Sequence, residues 1–334
     1  MKHLIYNTIL LLIIFCLRSL TANAQWEKGG YSKSAFYEQH DKQLFLKSSF
    51  IENDTYKDWD LTYNQLQLTV DPNKKYIQGN VYFEFKALID NLQRITIDLN
   101  DNITISSIKS GDKPCTFTHE NGLVQINLLS ALAKNETGNF TISYEGIPPS
   151  TGFGSFTQYL HNGIPAIFTL SEPYGAKEWW PCKQSLSDKI DSIDIVVSTP
   201  SEYCTASNGL LVAEIVVDGK RICHWKHRHP ITTYLVFFSS TNYEIYSEKA
   251  TLDDGTKVEI LNYVYPETLE EAKINTPYTV DYLEFFSRKF IDYPFKNEKY
   301  GHAQFGWRGG MEHQTMSSMG LFFPGLIAHE LAHQ

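Results

Sequence analysis

Between Asp60 and about Tyr246 one pattern recurs too often for most architectures: apolar side chains at every second position, in short runs divided by turn residues. The runs are Leu66, Leu68 and Val70; Val81, Phe83 and Phe85; Ile95, Ile97 and Leu99; Val124, Ile126 and Leu128; and Phe140, Ile142 and Tyr144. Successive side chains of a strand point to opposite faces, so each run is a half-buried strand. Asp71-Pro72-Asn73, Gln78-Gly79-Asn80, Asn121-Gly122 and Asp218-Gly219 read as the turns between them. The expected fold is an antiparallel β-domain that curls into a saddle or stacks as a sandwich. Ile193, Ile195 and Val197, then Leu211 to Val217, Ile222 to Trp225 and Leu235 to Phe238, continue it.

The pattern changes near Glu248. After an apolar strand at Val258 to Tyr265, helical spacing appears at Leu269, Ala272 and Ile274, then at Val280, Leu283, Phe286 and Phe290. At the other end, Lys2, the apolar run Ile9 to Leu17 and the small residues of Ala22-Asn23-Ala24 look like a cleaved secretory signal, making Gln25 the mature start. The run is too short to span a bilayer comfortably, so no stable membrane span is expected. The resulting division is a signal over 1–24, a lead segment over 25–57, a β-domain over 58–248 and a second, incomplete domain over 249–334.

Losing Lys2 and Arg18 with the signal takes the formal charge from -9 to -11. That acidity, without a basic cluster, argues against nucleic acid as a partner, and the cleaved signal implies a secreted or periplasmic protein. Cys115, Cys182, Cys204 and Cys223 allow one disulfide but do not choose it. Asn53, Asn102, Asn135 and Asn139 each open an N-x-S/T triplet.

Three stretches carry chemistry. His329-Glu330-Leu331-Ala332-His333 is an H-E-x-x-H. On a helix its two histidines share a face and can hold one metal ion, with Glu330 beside them as a general base for water. Gly309-Gly310-Met311-Glu312-His313 lies about twenty residues upstream; paired glycines admit another backbone, and Glu312 can meet a cation. Ser171 to Cys182, including Glu172-Pro173 and Trp179-Trp180, is an aromatic, charged connection between strands. Taken singly, each also has a plain reading as a helix end, a turn and a solvated loop.

In this order the three resemble the aminopeptidase N family of zinc metallopeptidases, which includes leukotriene A4 hydrolase. The resemblance covers nearly all of the chain after the signal. His313 stands where the family's G-x-M-E-N motif has Asn, and in the Ser171 segment Lys177 and Trp180 replace the usual Arg and Phe. The resemblance implies a β N-terminal domain followed by the start of an α+β, thermolysin-like catalytic domain. It also implies one zinc on His329 and His333, catalysis by Glu330, and substrate binding by Glu172, Gly309, Gly310, Met311 and Glu312. The two acids would bind the free α-ammonium of a peptide. The family's third ligand, a Glu about eighteen residues after the second His, and its oxyanion Tyr fall beyond Gln334, so the sequence reads as a fragment with His302 and His313 as poor substitute ligands. Two other readings stand beside it: a β-rich module binding peptide or glycan through exposed Trp179 and Trp180, and a zinc endopeptidase.

Overall fold

Alternating runs pair into strands because pairing satisfies the backbone while one face leaves water. The structure, a computed structural model, describes residues 52–149 and 154–334. The signal and most of the lead segment lie outside the described residues. In chain order the first strands are β1 (Trp59–Asp71), β2 (Lys74–Ala87), β3 (Leu92–Asp98), β4 (Ile103–Ser110) and β5 (Lys113–Pro114). They are followed by β6 (Phe117–Glu120), β7 (Leu123–Leu132), β8 (Thr137–Gly146), β9 (Ser155–His161) and β10 (Ile164–Leu170). Next come β11 (Ser192–Pro200), β12 (Cys204–Ser207), β13 (Leu210–Val217), β14 (Lys220–His227) and β15 (Phe238–Thr241).

These fifteen form an eight-stranded sheet in the order β13-β14-β11-β1-β2-β8-β4-β5, a four-stranded sheet β12-β15-β10-β9 and a three-stranded sheet β3-β7-β6. One apolar cluster joins all three, including Leu66, Val81, Phe83 and Phe140 of the large sheet, Ile95 and Ile126 of the small one, and Phe156, Ile167 and Phe238 of the third. Asn121-Gly122 and Asp218-Gly219 are the hairpin turns expected, with φ of 56°, 73°, 50° and 71° in that order.

Four sequence readings need correction. β1 and β11 pair in parallel, Leu66 beside Ile195, so the large sheet is not wholly antiparallel. Gln78-Gly79-Asn80 is not a turn but the middle of β2, where Gly79 lies opposite Tyr144 and an added Cβ would meet its ring at 2.9 Å. Leu235 closes a 3-10 turn, and only from Phe238 does the chain extend. Trp179 and Trp180 are fully buried, Trp179 donating its indole N–H to Ser171 Oγ at 2.9 Å, which removes the exposed aromatic surface the binding-module reading required. All four described cysteines are free thiols.

The remaining strands, β16 (Glu244–Thr251), β17 (Lys257–Val264), β18 (Lys299–Gln304), β19 (Gly310–Met311) and β20 (Ser317–Met319), make a second, five-stranded sheet in the order β16-β17-β18-β20-β19. β18 is parallel to both neighbours. Helices α1 (Leu269–Asn275), α2 (Pro277–Lys289) and α3 (Pro324–Ala332) accompany it. α1 and α2 fall where the helical spacing placed them, except that Ile274 is exposed and Phe290 lies past the end of α2, also exposed. The described residues form one compact unit.

Candidate active site

Helix α3 starts with Pro324 at its first position, where a missing N–H costs nothing. Its apolar face is well covered: Leu326 and Ile327 pack with Val264, Ala272, Met319 and Phe322, and Leu331 with Leu283 and Tyr300. α1, α2 and the second sheet thus bury the back of this helix. The opposite face carries His329 and His333, both exposed. Their Nε2 atoms lie 3.2 Å apart. A tetrahedral ion with nitrogen ligands at about 2.0–2.1 Å requires a separation of roughly 3.3 Å, so the histidine pair fits zinc as it stands. Among the described residues no group of three His, Cys, Asp or Glu converges on one point.

Glu330 is 3% exposed and turned toward β19. A Cβ on Gly310 would overlap its carboxyl group, so the second glycine of the pair gives the base its room. Gly309 lies against the ring of Trp307 instead. β19 is the edge of its sheet and pairs only with β20, Gly310 beside Met319 and Met311 beside Ser318. Met311 is buried among Phe168, Leu170 and Phe305, with Tyr159, Tyr234, Leu235 and Trp307 packed against that group.

Glu312 and Glu172 are half-buried and lie just past the ends of β19 and β10, which belong to different sheets, yet the charge of both reaches one side chain. Burial, then the carboxylates of Glu312 and Glu172, together push the Tyr234 phenol up to about 12. The two acids expected to form one anionic pocket thus both lie near enough to Tyr234 for their charge to be felt there. Nothing in Thr233-Tyr234 marked it beforehand.

His302 and His313 do not join the histidine pair of α3. His302 Nδ1 lies 2.7 Å from Asn262 Oδ1. His313 Nδ1 lies 2.9 Å from Ser318 Oγ, and its ring stacks on Phe237 with centroids 4.3 Å apart. Burial alone lowers each to about 3, so both are neutral imidazoles used as packing and hydrogen-bonding groups. His313 thus replaces the usual Asn with a flat ring against the β-domain.

The connection from Glu312 to Met316 is held from three sides. Asn208 Nδ2 donates to Gln314 O at 2.7 Å and to Leu235 O at 3.0 Å, while its Oδ1 accepts from Phe237 N at 2.9 Å. Gly209 N donates to Thr315 Oγ1 at 2.8 Å, and Lys299 Nζ to Thr315 O at 3.2 Å. From the far side Gln334, next after His333, accepts from Thr315 N at 2.7 Å. Thr315 itself has φ of 67°, a left-handed conformation uncommon for a β-branched residue.

No helix among the described residues is long and apolar enough to cross a membrane. No curated protein matches the chain. The crystal structure of an M1 zinc metallopeptidase from Deinococcus radiodurans is similar with a TM-score of 0.73 and 23% identity, covering 83% of this chain and 64% of that one. A variant of a two-domain M1 zinc metallopeptidase bound to L-tryptophan gives the same values. A Deinococcus radiodurans variant bound to a Tyr-Ser-Ala substrate gives 0.70 at 23% identity, with the same coverage. The chain spans 64% of the length of these structures. Residues 54–235 match the Peptidase M1 N-terminal domain, more than half of the sequence, and the chain accordingly belongs to the M1 peptidase family.

Proposed function

We propose that this chain carries the β-domain and the metal-binding helix of a zinc-dependent aminopeptidase. The observation that supports it most is the approach of His329 Nε2 and His333 Nε2 to 3.2 Å on one exposed helix face. Zinc held there supplies a Lewis acid that polarises a carbonyl and acidifies water. Glu330, confined beside Gly310, takes the proton of the attacking water and delivers it to the leaving amine. Glu172 and Glu312 bind the substrate's α-ammonium with charge-assisted hydrogen bonds. A peptide backbone adds along the open edge at Gly310 and Met311, which aligns its first peptide bond with the histidine pair.

The substrates on this reading are peptides with a free N-terminus, and the enzyme is exported after cleavage before Gln25. The test uses the protein expressed from its native gene. It should release the amine from an aminoacyl anilide and leave the N-acetylated anilide intact. Turnover should vanish with 1,10-phenanthroline and fall by roughly 10³-fold or more in Glu330→Gln. Cleavage of internal bonds in blocked peptides would instead make it an endopeptidase and remove the roles of Glu172 and Glu312. N-terminal sequencing that begins at Gln25 checks the export reading.

A further inference from the structure

The amide of Gln334 spans two pieces of the site that the sequence keeps twenty residues apart. Its Oε1 accepts from Thr315 N at 2.7 Å, and its Nε2 donates to Glu312 O at 3.2 Å and His313 O at 3.4 Å. Every one of these partners is backbone, and one is the carbonyl of Glu312 itself. Gln334 directly follows His333, the C-cap of the helix that presents the histidine pair, and its N–H donates back to Leu331 O at 3.2 Å.

Thr315 receives this clasp in a left-handed conformation, φ 67°, that a β-branched residue adopts only when its surroundings impose it. Those surroundings are fully occupied. Its N–H goes to Gln334, its Oγ1 accepts from Gly209 N at 2.8 Å, and its carbonyl accepts from the buried Lys299 at 3.2 Å. The β-domain and β18 thus hold one side of the Glu312 segment, and Gln334 ties the other to α3.

We infer that Gln334 is a positioning residue that fixes the spacing between the histidine pair and the Glu312 carboxylate. It is thereby a determinant of the preference for a free N-terminus. An exopeptidase needs that spacing held, because the distance from an α-ammonium to its own scissile carbonyl is set by covalent geometry. Misplacement by about an ångström costs up to 10²-fold in such sites. The inference rests on the aminopeptidase reading.

The experiment compares the zinc-loaded native protein with Gln334→Ala and Gln334→Glu. The glutamate variant keeps the acceptor for Thr315 N and loses both donors. Three probes are titrated: acetohydroxamic acid, which reports the metal alone; L-leucine hydroxamate, which engages metal and ammonium site together; and N-acetyl-L-leucine hydroxamate. Zinc content is measured on each sample. In Gln334→Ala, zinc content and acetohydroxamate affinity should be unchanged, while the preference for the free over the acetylated leucine hydroxamate falls roughly tenfold. Gln334→Glu should fall between that variant and the native protein. An unchanged preference in Gln334→Ala overturns the positioning role and leaves the aminopeptidase reading intact. Loss of zinc and of all three affinities together makes Gln334 a structural residue and also overturns it. If the native protein itself shows no preference for the free amine, the aminopeptidase reading fails and takes this inference with it.

Discussion

The eight-stranded and five-stranded sheets solve the same problem by different means. In the first, the buried face is hydrocarbon: Leu66, Val81, Phe83, Phe140 and Ile142 are all fully or almost fully buried. In the second, β18 is buried on both faces and reads Lys-Tyr-Gly-His-Ala-Gln. Most of its polar groups are matched, His302 Nε2 excepted. Tyr300 Oη pairs with Ser317 Oγ at 2.8 Å, His302 with Asn262 at 2.7 Å, and Gln304 Oε1 accepts from Tyr265 N at 2.9 Å and from Thr268 Oγ1 at 2.6 Å. An apolar face tolerates exchange among side chains of similar volume, whereas a matched polar strand accepts few substitutes. The proposed site sits beside the second kind, where many positions are specified by paired polar groups.

The sharpest way to break that contrast is to cut into the apolar sheet. Phe83 stacks on Phe140 with centroids 4.8 Å apart. Phe83→Ala should cost about 3–5 kcal/mol in chemical denaturation; a loss below 1 kcal/mol would mean that this sheet is not the source of stability. Next in size, Gly310→Ala forces the Glu330 carboxyl aside. Turnover should fall by roughly 10²-fold with zinc content and thermal midpoint nearly unchanged. A matching drop in stability would place that glycine with the fold instead of the chemistry.

Acid tests the polar sheet. His302 titrates at about 3 in the fold against 6.5 when unfolded, so as pH falls below 6.5 the unfolded chain takes up a proton that the native one refuses. Stability contributed by the neutral imidazole is therefore full above that range and lost on the way down to about 3. His302→Gln should flatten the stability-versus-pH slope by about 1.4 kcal/mol per pH unit, read from urea midpoints between about pH 6 and about pH 4. An unaltered slope would show that this histidine is protonated in the fold. The smallest effect belongs to β13, the outer strand of the large sheet, where Val216 is exposed. Val216→Lys should change stability by no more than about 0.5 kcal/mol, and a larger loss would mean that this edge is covered.

The same contrast explains what could be read beforehand. Alternation exposed most of the β-domain, because a half-buried strand writes its burial into the spacing of its apolar residues. It failed at Gly79, where the signal for a turn and the signal for a close ring are the same residue. It failed at β18 to β20, since strands buried on both faces need not alternate and here hide polar side chains. The residues proposed to react stood out in the sequence because metal and proton chemistry restrict residue type: His329, Glu330 and His333 form an H-E-x-x-H. Their supports were not. Asn208, Tyr234, Thr315 and Gln334 carry no compositional mark, and their roles arise only when segments from about twenty to more than a hundred residues apart meet.

The burial of the whole run from His313 to Met319 also has a consequence in time. A segment whose backbone is clasped on three sides opens rarely, and its amides should be among the last in the chain to exchange with deuterium. On the aminopeptidase reading, an arriving peptide would meet Glu312 already in place, and the rate of capture would be set by diffusion into the cleft and not by the folding of a loop around it.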